Sequence, residues 1–269
     1  MPVRIARRSR GFARLSTRWY RACQAGLVAL APFLILALAW MLTVSVSGIP
    51  PILLPGPMAV IDAMIERSDL LFLSSVQTLS EILLATVIAV LAGFMTALLL
   101  ATSSLARRAL FPYVLTTQVL PKVALAPILV AWFGIGLQSR VVLAVLIAYF
   151  PMVINTMTGI LGTREANLRY ARSLVISEWQ VLTKVRLPEA LPSIIGGIKI
   201  TAGAAVIGIV VGEFVATEGG LGKVIVDSGA VLNTALMIAA TILIAAIGLG
   251  LIGALEVIDR RVIYWQVGR

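Results

Sequence analysis

Four ionisable residues, Glu81, Lys122, Lys199 and Glu213, fall within or beside long apolar runs of this 269-residue chain. A charge at membrane depth is costly, so it normally faces a bundle interior or a wet cavity. Lys122 follows Pro121, which loosens the backbone about halfway along its run. A lysine so placed would draw an anionic or electron-rich solute by Coulomb attraction. The competing reading is a snorkelling or carboxylate-paired lysine with a structural role. Glu213 falls near the end of its run, where pairing between helices or docking of a partner suits it. Glu81 and Lys199 are expected to be structural. Catalytic chemistry is poorly provided for. The chain has no histidine, which removes His-based zinc sites and His-dependent nucleophilic triads. The aspartates ahead of the tail lie outside the apolar runs, so no paired intramembrane acids are expected. "GGLGK" (219–223) has the end of a phosphate-binding loop, but Thr217 stands where the leading glycine is needed and Val224 where a Ser or Thr should follow.

The elements that must position these residues are membrane spans. Hydrophobic residues make up 60% of the chain and charged ones 13%, against about 45–50% and about 25% in soluble domains. Six runs reach the roughly 20 residues a spanning helix needs: about 24–46, 78–102, 110–134, 138–160, 191–214 and 231–257. An all-α, polytopic membrane helix bundle of six transmembrane helices is expected. The first run exceeds a signal-peptide core, so a retained span is preferred. One cysteine, Cys23, excludes an intramolecular disulfide.

Charge is uneven within the net +10. Seven arginines crowd residues 1–21, and no acid precedes Asp62. A nucleic-acid-binding arm is one reading; a topology signal touching anionic lipid fits better ahead of an apolar run, and no nucleic-acid partner is expected. Basic excess recurs at 103–109, 161–190 and the tail, and is absent between. The positive-inside rule therefore places these segments and both termini in the cytoplasm. The expected division is a basic arm (1–23), a six-span domain (24–258) with a cytoplasmic loop at 161–190, and a tail (259–269).

Small residues recur every fourth position in the second span (Ala85, Ala89, Gly93, Ala97, Ala101), the fifth (Gly196, Ala204, Gly208, Gly212) and the sixth (Ala246, Gly250, Ala254). Each set shares a helix face and permits close packing. Trp132, Met152 and Asn155 join Lys122 as candidates to line a pathway; an interface anchor is the plainer role for Trp132.

In the 161–190 loop, Ser177-Glu178-Trp179-Gln180 fits a capping box at a helix start. The helix is expected to stop just before Pro188, which cannot sit inside it without losing a hydrogen bond. Pro192 suits the first turn of the next span. This short amphipathic helix could lie on lipid or be offered to a soluble partner.

The stretch from Gly162 to Gly197 resembles the cytoplasmic loop signature of ABC-importer permeases. Ala171, Ser173, Leu174, Ser177 and Leu187-Pro188 match it, whereas Val175 and Ile176 stand at its glycine and alanine positions. "LLPGPMAVIDAM" (53–64), "PKVALAPILVAWFGIG" (121–136) and "GEFVATEGGLGKVI" (212–225) are similar to the nitrate/sulfonate/taurine-type branch. The resemblance implies a type I ABC importer permease (MetI-like) fold in a bacterial inner membrane. It implies a dimer of this chain, two separate ATPase subunits and an extracytoplasmic solute-binding protein. ATP and Mg would be bound by the ATPase chains, with no cofactor or metal in this one, which would not itself be an enzyme. Ala171, Arg172, Ser173, Leu174, Ser177, Glu178, Trp179, Leu187 and Pro188 would form the ATPase-coupling element. An intramembrane enzyme is disfavoured by the missing catalytic set. An ATP-independent secondary transporter has no evident use for the loop.

Overall fold

A computed structural model describes residues 31–32, 34–174, 176–216 and 218–262. The basic arm, Cys23, Val175 and residues 263–269 lie outside these. The chain divides into two compact units, Met1–Asp62 and Ala63–Arg269. In the first, helix α1 (Leu34–Val46) is the described part of the first expected span. Trp40 Nε1 donates to the Pro55 carbonyl at 3.2 Å, folding the following segment back on α1. Helix α2 (Pro57–Glu66) starts with proline at its first position, where no N–H is missed.

The second unit carries α3 (Ser68–Thr102), α4 (Ser104–Val119), a 3₁₀ turn (Lys122–Leu125), α5 (Ala126–Phe133), α6 (Leu137–Leu161), α7 (Glu165–Ser173), α8 (Glu178–Val181), a π turn (Leu182–Arg186), α9 (Leu187–Val215), α10 (Leu221–Ala230) and α11 (Thr234–Val262). No strand occurs among the described residues. Helices α3, α6, α8–α9 taken together and α11 are each long and apolar enough to cross a membrane. As helices, these segments pair their backbone groups within themselves, which lipid demands.

The second-span ladder packs as expected. Ala85, Ala89, Ala97 and Ala101 are buried, and Gly93 lies so close to Met152 on α6 that an added Cβ would overlap its side chain. Helix α6 runs parallel to α3, because Glu81 meets Arg140 at one end and Ala101 clusters with Ile160 at the other. The twenty residue steps from Arg140 to Ile160 span about 30 Å of helix, the thickness of a hydrocarbon core. Helix α9 returns antiparallel, with Gly208 against Ala144 and Gly197 against Asn155. Helix α11 is antiparallel to α9, tied to it by Lys199 with Glu256 and Asp259. The positively charged segments 103–109, 161–190 and the end of α11 consequently share one end of the bundle.

Four expectations need correction. The second span starts at Ser68, ten residues before 78, because the apolar pattern continues through Leu70–Leu73 and tolerates Ser and Thr. The third span is not one helix from 110 to 134. It breaks between α4 and the Lys122–Phe133 segment with an 86° bend. Leu120 takes an extended conformation before Pro121, the region toward which proline biases the residue preceding it.

The loop helix does not stop before Pro188. It passes through the π turn into α9, giving one 38-residue helical body from Glu178 to Val215. The wider turn accommodates the missing N–H of Pro188 without ending the helix. In the fifth-span ladder, Gly208 and Gly212 make the expected close approaches, to Ala144 and Arg140, and Gly197 adds one outside it, while Gly196 faces open space and Ala204 is only half-buried. The sixth-span ladder at Ala246, Gly250 and Ala254 is uncovered among the described residues.

Candidate functional site

At the bundle end away from the basic segments, two buried polar latches, one of them an ion pair, fix three helices and a loop. Arg140 Nε donates to Glu81 Oε2 at 2.9 Å and Nη2 to Oε1 at 2.6 Å, while Nη1 donates to the Ala216 carbonyl at 2.9 Å. The fork geometry of guanidinium suits this two-point grip on a carboxylate. Both side chains are buried, at 3% and 4% exposure. Gln77 Nε2 adds a 3.2 Å bond to Glu81 Oε1.

The second latch is Glu213. Its Oε1 accepts from the Thr78 hydroxyl at 2.7 Å, and its Oε2 from the Gly222 amide at 2.7 Å. The Thr78 oxygen in turn accepts from the Leu221 amide at 2.9 Å. The turn into α10 is held by α3 and α9 together. Gly220 has φ +93 and leaves no room for a Cβ, which would strike the Glu213 carboxylate. Beside the latch a cavity of about 400 Å³ is lined by Arg67, Ser74, Glu218, Lys223 and Asp227 among others. "GGLGK" therefore supplies a helix start to this latch.

Lys122 sits half-buried in the 3₁₀ turn at the break and makes no ion pair among the described residues. Trp132 is exposed on α5. Met152 is fully buried between Gly93 and Gly197, in the packed seam of α3, α6 and α9. Asn155 Nδ2 donates to the Pro151 carbonyl of its own helix at 2.8 Å. No cavity found within the described residues brings these four together.

At the basic end the loop is a helical hairpin. The capping box forms as expected: Gln180 N–H donates to Ser177 Oγ at 3.3 Å, and Ser177 N–H donates to Gln180 Oε1 at 2.9 Å. Ala171, Arg172 and Ser173 belong to α7, a separate helix that charge and polarity had hidden within the loop. Ala171 and Leu168 pack on Val181, with Ile176 and Val185 closing the cluster. Ile176, at the motif's alanine position, thus helps fill a miniature core. Arg172 and Glu178 face each other across the turn at 3.9 Å. Trp179 and Tyr170 are each 70% exposed, and Leu174 is exposed beside them. Leu187 and Pro188 open α9. Glu189 Oε2 accepts from Asn167 Nδ2 at 3.1 Å, and Glu189 Oε1 lies 3.8 Å from Arg164 Nε, binding α7 to α9.

Comparison with known proteins gives the same direction throughout. The family described as "Binding-protein-dependent transport system inner membrane component" matches residues 85–264. A probable ABC transporter permease protein of Haemophilus influenzae is 36% identical over 87% of this chain and 95% of its own length. The formylaminopyrimidine transport permease of Halalkalibacterium halodurans is 32% identical over 71% of this chain and 76% of its own. The taurine transport system permease of Escherichia coli is 30% identical over 94% of each chain. Among solved structures, a chain of the inward-facing MetNI methionine ABC transporter superposes with a TM-score of 0.57 at 22% identity, covering 71% of this chain and 98% of that one. That likeness establishes the fold.

Proposed function

Because the chain belongs to the family of binding-protein-dependent transport inner membrane components, and is thereby a multi-pass permease subunit of an ABC importer, we propose that its α7–α8 hairpin is the handle gripped by a separate ATPase chain. The supporting observation is mechanical. The hairpin carries exposed Trp179 and Tyr170, residue types that anchor protein interfaces, and α8 continues without a break into spanning helix α9. A push on the hairpin is therefore delivered along a single helix to the far end of the bundle, where Glu213 holds the 216–222 turn. In this reading the basic end and both termini are cytoplasmic. The latched end faces outward and receives the solute-binding protein near the cavity of Arg67 and Glu218.

Two copies of this chain would enclose the pathway, with two ATPase subunits binding ATP and Mg. Residues Ala171, Arg172, Ser173, Leu174, Ser177, Glu178, Trp179, Leu187 and Pro188 form or position the handle. Lys122, at the bent span, faces the pathway once the second copy is present, and Trp132 and Asn155 line other parts of it. The solute is a small anionic or polar organic compound. Relatives named for taurine and for formylaminopyrimidine place a sulfonate and a heterocycle within the reach of the family.

The test is co-purification and vesicle uptake. Wild-type chain should retain the ATPase in detergent, and Arg172→Asp or Trp179→Asp should release it and abolish ATP-driven uptake. Uptake by this polypeptide alone, with no ATPase present, would overturn the proposal in favour of a secondary transporter.

A further inference from the structure

At the basic end, Thr102 of α3 faces Glu178, Trp179, Leu182 and Arg186 across a cleft of about 240 Å³. Arg186 closes the π turn and is only half exposed. Its Nε is shielded from solvent and has no hydrogen-bond partner among the described residues. Arg186 also makes no ion pair there, since Glu178 is turned toward Arg172 and Glu189 toward Arg164.

A buried charged donor without an acceptor is a costly defect, and one that native structures rarely leave unexplained. The cleft is below the roughly 300 Å³ at which small-molecule sites begin, yet ample for one side chain. Its wall includes an indole left 70% exposed, so arginine and tryptophan, the residue types that dominate interface energetics, stand side by side. The flanking Arg107, Arg108, Arg169, Arg172 and Lys184 bias this end toward an anionic visitor.

We propose that this cleft is a carboxylate socket, in which an Asp or Glu side chain of the ATPase partner inserts between Trp179 and Thr102 to accept from the Arg186 guanidinium. The inference rests on the hairpin being the ATPase handle and adds the chemistry of the grip. A carboxylate is favoured because a guanidinium fork grips it at two points. The inserted side chain would also bring its own backbone and neighbours over the indole. The socket lies in the π turn itself, so the ATPase would hold the very residues at which hairpin and span are joined.

The experiment uses the whole permease–ATPase complex in nanodiscs containing phosphatidylethanolamine and phosphatidylglycerol. ATPase retention on the tagged permease is measured against NaCl concentration. Arg186→Gln should lower retention at least tenfold and flatten its salt dependence, and Arg186→Lys should recover part of it. Arg186→Glu should be rescued by a single acidic-to-arginine reversal in the ATPase. As a variant that leaves Arg186 in place, Thr102→Cys in a chain with Cys23→Ser should cross-link to the ATPase through a short bifunctional reagent. If Arg186→Gln retains the ATPase at every salt concentration while Trp179→Asp releases it, the socket is wrong and the handle stands. If neither variant releases it, both are wrong. If Arg186→Gln instead loses bound phosphatidylglycerol in native mass spectrometry with ATPase retention unchanged, the occupant is a lipid headgroup and the socket is overturned.

Discussion

Arg140 on α6 holds both carboxylate oxygens of Glu81 on α3 and, with its remaining terminal nitrogen, the Ala216 carbonyl at the end of α9. One side chain therefore joins three helices at a depth where none of the charges meets water. Removing one partner of such a pair strands the other, at a cost of about 3–5 kcal/mol. Glu81→Leu and Arg140→Met, each alone, should lower the thermal midpoint in detergent sharply. The double variant Glu81→Leu with Arg140→Met should recover most of the loss. Additive losses in that double-mutant cycle would show that the two side chains act independently.

Glu213 is expected to control local order. Glu213→Gln keeps the shape but offers an N–H₂ to a hydroxyl or amide that already donates. An unmet buried hydrogen bond costs about 1–3 kcal/mol. Amide exchange at Leu221 and Gly222 should rise by one to two orders of magnitude on that estimate, with α3 and α6 unchanged. Thr78→Val should produce the same pattern more weakly. Uniform protection across the turn in both variants would remove the latch.

The two glycine ladders separate cleanly. Gly208 approaches the Ala144 backbone too closely to admit a Cβ, whereas no described residue lies within 4 Å of a Cβ added at Gly250. Gly208→Leu should cost about 1–3 kcal/mol or more through forced separation of α6 and α9. Gly250→Leu should leave the stability of the isolated chain within about 0.5 kcal/mol. Thermal unfolding of the monodisperse chain checks both.

Lys122→Ala should reduce uptake about tenfold, equivalent to about 1.4 kcal/mol, while complex assembly stays intact. Lys122→Arg should preserve much of the rate if charge is what the solute meets. Unchanged kinetics in Lys122→Ala vesicles would assign the lysine a purely structural place at the bend.

Ser177→Ala removes the side-chain cap of α8. It should destabilise the hairpin by about 1 kcal/mol and weaken ATPase retention without abolishing it, since Ala171 and Val181 still pack. Retention equal to wild type would mean that the cap contributes nothing to the grip.

What could be read from the chain was local. The capping box depends on residues three apart, and the Ala85–Ala101 ladder on residues four apart, so both were visible before any fold was known. The bend was only half visible. Pro121 announced a loosened backbone, but the direction and size of the turn depend on what α5 packs against. Pro188 misled, because the rule that proline ends a helix assumes a regular turn ahead of it. The Glu81–Arg140 pair was out of reach of local rules, since 59 residues separate the partners. The one available hint was depth: opposite charges stand four and three residues into two predicted spans. Met152 fills the seam between two glycines instead of a pathway, because its unbranched, flexible side chain suits an irregular gap.

The π turn at Leu182–Arg186 amounts to one surplus residue between handle and span. Each residue of a helix turns the chain by about 100°. Excising a single position there would restore a regular spiral and swing the hairpin by about that angle around the axis of α9, pointing the indole of Trp179 at a different neighbour. The compass bearing of the handle is thus encoded in a count of amino acids rather than in any one side chain.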